Sequence, residues 1–185
     1  MAMSVPADLS RVLRPALLAG VLALAAPGLI SWGGTLEALP VTESQVKAAF
    51  LYNFASFVLW PGPSEGPLVI GIAGDDAFAE IVGQVVRGRK VNNREFQTRR
   101  VKSADDPSGC HMLYVGVMRP HDAAELMQRV SGPVLTVGET PQFLRDGGMV
   151  RFYLQNNKVR FQINQKNAET AGLKVSSQLL ALAAR

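Results

Sequence analysis

The sequence is poor in the residues from which most active centres are built. It has one cysteine, Cys110, and two histidines, His111 and His121, in 185 residues. A single cysteine cannot close an internal disulfide, and no H-E-x-x-H pair or spaced Cys/His set is present to hold zinc. There is no phosphate-binding P-loop and no G-x-S-x-G elbow to present a nucleophilic serine. Gly71 and Gly74 do not fall into the G-x-G-x-x-G spacing of a dinucleotide turn. Both histidines stand far from any motif serine, so a nucleophile, a base and an oxyanion site cannot be assembled from recognisable parts. The reading is therefore not an enzyme, and no cofactor or metal is implied.

What the chain does have is a leader. Arg11 and Arg14 precede an uncharged apolar run, Pro15 to Ile30 (PALLAGVLALAAPGLI), which ends in the turn-rich Ser31–Gly34. That is the charged-then-apolar order of an export signal. Residues 1–38 are read as a signal peptide. Ala38 suits its last position, although Leu36 is not the usual small residue and Ala23-Leu24-Ala25 would cut inside the run. The run also approaches the roughly 17–25 residues of a membrane-spanning helix, so an uncleaved anchor is the alternative. Either way residues 39–185 work outside the cytoplasm, in the periplasm. That excludes most ATP-driven and cofactor enzymes and leaves envelope proteins, lipid headgroups, cell-wall material or small solutes as partners.

Residues 39–185 form one domain of ordinary size, with no linker, repeat or low-complexity tract. The formal charge is +4, and the leader's charges cancel. Much of the excess sits in Arg87, Arg89, Lys90, Arg94, Arg99, Arg100 and Lys102. Only Phe96 interleaves them, and an exported protein rarely meets nucleic acid. The stretch is read as a solvated face or as attraction to an anionic membrane or partner, with no nucleic acid.

Thr42-Glu43-Ser44-Gln45 is a capping box, with Val41 and Val46 at the staple positions. Apolar residues at Val46, Phe50, Phe54, Phe57 and Val58 mark the helix that follows, and Trp60-Pro61-Gly62 stops it. Its phenylalanines are read as core. Leu68–Ala73 is a continuous apolar run suited to a strand buried on both faces, and Asp75 or Asp76 caps the next helix. Val91–Arg94 is a turn, Phe96–Val101 an alternating strand, and Cys110–Val117 a second buried strand. On a strand, adjacent Cys110 and His111 point to opposite faces and cannot share an ion or a proton. They are read as a core cysteine and a satisfied histidine. As a free thiol, Cys110 is either buried and inert or available for an intermolecular link. A helix opens at Arg119-Pro120, a short strand spans Val134–Val137, and Thr140-Pro141 predicts a short helix before Asp146. Met149–Leu154 and Val159–Ile163 form a hairpin, Asn164 caps a helix that ends at Gly172, and a last helix starts near Ser177. The fold class is α/β: one compact domain, a mainly parallel sheet flanked by helices, and a C-terminal β-hairpin.

Five stretches resemble the YfiR family of periplasmic proteins. They are ESQVKAAFLYNFASFVLWP at Glu43–Pro61, PLVIGIAGDDAF at Pro67–Phe78, GRKVNNR at Gly88–Arg94, Cys110–Val115, and the closing GGMVRFYLQNNKVRFQINQKNAETAGLKVSSQLL at Gly147–Leu180. The resemblance implies an α/β fold, export and self-association as a homodimer, without catalysis. It implies repression of an inner-membrane GGDEF-type diguanylate cyclase through that enzyme's periplasmic part. Cyclic di-GMP, exopolysaccharide and biofilm would fall. It also implies sequestration by an OmpA-like outer-membrane lipoprotein. In relatives with a disulfide, a cysteine at the position of Gly71 pairs with the one at Cys110, a bond this chain cannot make. Partner docking is assigned to the closing block, at Phe152, Phe161, Leu173 and Val175; core is the default role for any one of them, exposure suits Leu173 and Val175 better than the hairpin positions, and the basic stretch Arg87–Lys102 is the next candidate. The alternative function is a periplasmic module that binds small solutes or envelope components without a cyclase.

Overall fold

The computed structural model describes residues 41–62 and 65–183. The leader, residues 1–38, lies outside the described residues. The chain opens with α1 (Glu43–Phe57), β1 (Val58–Leu59), β2 (Leu68–Ala73), α2 (Asp76–Val86), β3 (Lys90–Val91), β4 (Arg94–Val101) and β5 (Met112–Val115). It continues with α3 (Pro120–Arg129), β6 (Leu135–Gly138), β7 (Val150–Gln155), β8 (Lys158–Ile163), α4 (Gln165–Thr170), β9 (Lys174–Val175) and α5 (Ser177–Leu182).

One seven-stranded sheet runs β3-β4-β2-β5-β6-β7-β8, and β1 pairs with β9 in a separate ribbon. The pairs from β4 through β7 are parallel. Antiparallel pairs close both edges, β3 with β4 and β7 with β8. This is a single α/β domain with a largely parallel, mixed sheet flanked by helices. The β7–β8 pair continues the sheet and is not an appendage to it.

The continuous apolar runs take the two-faced positions expected of central strands. Ile70 and Ile72 of β2 and Met112 and Tyr114 of β5 face a layer built from α1 and α2, while Ala73, Leu113 and Val115 face α3. The α1 layer holds a phenylalanine cluster. The Phe54 ring stacks on Phe152 at 5.8 Å and meets Phe161 edge-on at 5.2 Å, and Phe50 adds a further edge contact to Phe161 at 5.3 Å. The phenylalanines of the first helix are core, as their spacing suggests.

Thr42 caps α1: its hydroxyl accepts from the Gln45 amide (3.2 Å), and the Gln45 side chain accepts from the Thr42 amide (2.8 Å). Val41 is 71% exposed and does not act as a buried staple. The helix ends one residue earlier than its apolar spacing predicts, because Val58 leaves it to pair with Val175. Asp75 caps α2, accepting from the Phe78 amide at 2.8 Å. Asn92 and Asn93 both have positive φ, the conformation a two-residue hairpin turn demands.

Two expectations are corrected. β5 is shorter than Cys110–Val117: Cys110 and His111 precede it, and Val117 stands in solvent. No helix follows Thr140; residues 141–147 are successive turns. The Phe143 ring packs where Gly138 and Gly148 lack side chains; a Cβ on those glycines would lie 2.5 and 2.3 Å from it. That packing draws the segment inward and away from helical geometry. Among the described residues no helix is long and apolar enough to cross a membrane.

Candidate functional site

Three places hold the side chains that matter. The first lies where β2, β5 and β6 end. Lys47 of α1 is 8% exposed, yet it carries an ammonium group. It lies 2.5 Å from Glu43 one turn earlier and 2.7 Å from Glu139 just past β6. Tyr114 of β5 donates its hydroxyl to the same Glu139 carboxylate. Burial pulls the Lys47 pKa down, but the hydrogen bonds and charges of Glu139 and Glu43 outweigh it, and the pKa lies above its ordinary value. Burial and then the Glu139 hydrogen bond push the Tyr114 phenol up, so it stays a neutral donor. The cluster ties the start of α1 to the ends of two central strands. Sequence reading missed it: Lys47 falls on the apolar stripe at Leu51 and Phe54, and the signal was Glu43 four residues before it.

The second place is the opposite end of β5. Trp60 of the W-P stop donates its indole N–H to the His111 carbonyl at 2.9 Å, and its ring meets the imidazole edge-on at 5.9 Å. The Val69 amide donates to His111 Nδ1 (3.1 Å), and the Arg94 guanidinium lies 2.7 Å from Nε2. Burial and then Arg94 push the His111 pKa down, which keeps the ring neutral. Arg94 also donates to the carbonyls of Gly66 (2.8 Å) and Pro67 (3.1 Å), holding the entry to β2.

Cys110 points the other way, into the α3 layer. Arg99 donates to its sulfur at 3.2 Å. Burial raises the thiol's pKa against the opposing pull of Arg99, so it carries little thiolate. Gly71 lies directly against it: a Cβ there would sit 2.8 Å from Cys110 Sγ. Cys110 is thus a core cysteine, as read. His111 is held by its neighbours, but a neutral imidazole accepts at one nitrogen only, so it takes a hydrogen bond from Val69 or from Arg94 and not from both.

The third place is the closing block, which holds the four candidate docking residues. Phe152 and Phe161 face each other across β7 and β8, under α1, and are buried. Leu173 is 1% exposed. It follows a glycine-terminated helix: Gly172 has φ +80°, its amide donates to Glu169, and the Leu173 amide reaches back to Ala168. This cap brings the residue after the glycine onto the helix's buried side. Val175 is half-buried and lies opposite Val58, facing the core. The outward positions of the β1–β9 ribbon belong to its other pair, Leu59, 62% exposed, and Lys174.

Among the described residues no three His, Cys, Asp or Glu side chains are placed to hold a metal ion. The titratable groups inside are locked: Lys47 charged, Tyr114 and Cys110 protonated, His111 neutral. Fold and side chains together define an α/β domain whose interior polar groups serve architecture. The chain matches the YfiR/HmsC-like family over residues 44–184 and belongs to it. Membership supports a periplasmic regulatory role in cyclic di-GMP signalling.

Proposed function

We propose that this protein is a non-catalytic periplasmic repressor that binds the periplasmic part of an inner-membrane diguanylate cyclase. Through it the protein restrains cyclic di-GMP, exopolysaccharide and biofilm. The observation that carries this reading is the family match across the whole described domain. The locked titratable groups support it, since none is poised to move a proton at neutral pH. Self-association and capture by an OmpA-like lipoprotein belong to the same reading.

The docking surface is assigned to the outer face of the β1–β9 ribbon, where Leu59 stands exposed beside Lys174. Leu173 precedes the ribbon and is buried, Val175 borders the surface, and Phe152 and Phe161 lie in the core under α1. Deletion of the gene in a strain that carries the cyclase raises cyclic di-GMP and surface attachment, and deletion of both genes abolishes the rise. Unchanged nucleotide in the single deletion would overturn the reading. Leu59→Asp loses cyclase binding while keeping the wild-type melting temperature. Leu173→Ala loses both together.

A further inference from the structure

The molecule holds a built cleft that neither the buried clusters nor the regulatory reading uses. It lies over the carboxyl ends of β5 and β6, between α3 and the turns that follow β6. Its volume is about 430 Å³, within the range of small-molecule sites and too small for a docked domain. It lies on the α3 face of the sheet, one strand pair away from the place where the loops after β2 and β5 diverge to opposite faces.

The two walls differ in stiffness. One is Phe143, clamped between Gly138 and Gly148. The other is the soft side of α3 with Met118, Ala124 and Met127, where flexible thioethers adapt to an occupant's shape. The charge on this lining is simple. Asp146, an exposed residue, is its one acidic or basic side chain. The charges α3 carries nearby pair with each other, Arg119 with Asp122 at 2.8 Å and Arg129 with Glu125 at 2.8 Å. Among the described residues no cation pairs with Asp146, and Arg145 beside it does not line the cleft. Thr140, Gln142 and Gln128 give a neutral polar rim.

We propose that this cleft is a binding site for a compact apolar molecule carrying one amine. The apolar body sits between Phe143 and the methionines, and the ammonium faces Asp146. Carboxylates and phosphates are excluded, because the lining offers them no cation and sets a carboxylate against them. The inference is independent of the cyclase reading, since its test measures binding alone.

The test uses 1-adamantylamine and adamantane-1-carboxylate, which share one apolar body and differ in charge. Both are titrated into the purified protein and followed by thermal shift and by the methyl NMR signals of Met118 and Met127. The amine raises the melting temperature and shifts both methyl signals, and it binds about tenfold more tightly than the carboxylate, as expected for one exposed charge contact acting with opposite sign on the two probes. Asp146→Asn removes the preference, leaving the two probes within about twofold of each other. Ala124→Trp, at an exposed cleft position, fills the space and abolishes binding of both. Methionine signals unmoved by either probe would overturn the proposal. So would a preference for the amine that survives Asp146→Asn, or binding that survives Ala124→Trp in a folded variant.

Discussion

Gly71 is the residue whose absence of a side chain says most. A Cβ there would lie 2.8 Å from Cys110 Sγ, 3.0 Å from Val101 and 3.1 Å from Leu113. Gly71→Ala therefore overpacks the α3 layer and costs about 1–3 kcal/mol. Gly71→Cys adds bulk at the same place but can convert the closest contact into a bond. Once oxidised it closes the loop of residues 71–110, which the chain-entropy account values at about 4 kcal/mol before strain. The expected result is a Gly71→Cys protein that melts above wild type without reductant and below it with reductant. Equal melting under both conditions, with free thiols by mass spectrometry, would show that the two strands do not hold the sulfurs in bonding range. Cys110→Ser keeps an acceptor for Arg99 and so stays folded. His111 supplies a pH dependence of definite sign. Its pKa is lowered below 6.5 in the folded protein, first by burial and then by Arg94. A group so depressed binds protons more readily when unfolded, so its contribution is intact above the ordinary value and falls away as pH drops below it. Urea midpoints measured from about pH 8 to about pH 5 decline in wild type and decline less in His111→Asn. Parallel declines would assign the acid sensitivity to other groups.

At the scale of elements, the difference between what the chain spells out and what it conceals is a difference in range. The capping box at Thr42 and Gln45, the Asp75 cap and the Asn92-Asn93 turn are settled by residues within a few positions of each other, and all three were legible. The β1–β9 ribbon was not, because its two short strands, paired at Val58 and Val175, stand at opposite ends of the domain's sequence. The failed helix after Thr140 has the same origin: its end signals were sound, but Phe143 is claimed by two glycines from different segments. Leu173 shows a local signal followed only halfway. Gly172 was recognised as a helix end, yet the corollary that the next apolar residue folds back onto the helix was not drawn. The structure has that cap, with the Leu173 amide 2.9 Å from the Ala168 carbonyl. Gly172→Ala places an L residue at φ +80° with nothing nearer its Cβ than Pro61 at 3.8 Å, so its cost is conformational, about 1–2 kcal/mol. Leu173→Ala leaves a cavity and costs about 2–5 kcal/mol. Equilibrium unfolding that reverses this order would mean that the cap is held by its backbone and not by the buried leucine.

The whole molecule is lopsided, and the composition hides it. Both faces of the sheet are apolar, which the runs at Leu68–Ala73 and Met112–Val115 made plain, but the helices that cover them are unequal. The face under α1 and α2 takes Ala48, Leu51, Phe54, Ala55, Phe78, Ala79, Val82 and Val86 from those helices, all buried. The other face has α3, which fully buries only Leu126. Nor is α3 secured at its start. Arg119 occupies its N-cap without a side-chain hydrogen bond, whereas α1 has both bonds of a capping box. A missing cap costs an isolated helix about 1 kcal/mol, and little burial remains to offset it. Local opening follows such differences in buried apolar contact. In native-state hydrogen exchange, the α3 amides therefore exchange through a local opening that responds weakly to denaturant, while β2, β5 and α1 exchange only on global unfolding. Placing a cap with Arg119→Asp slows α3 exchange selectively, even though it gives up the ion pair to Asp122, because an exposed pair is worth less than a made cap. If α3 in the unmodified protein is as protected as α1, then Leu126 and its neighbours hold that layer more firmly than their burial implies, and the soft wall of the cleft beside it is rigid as well.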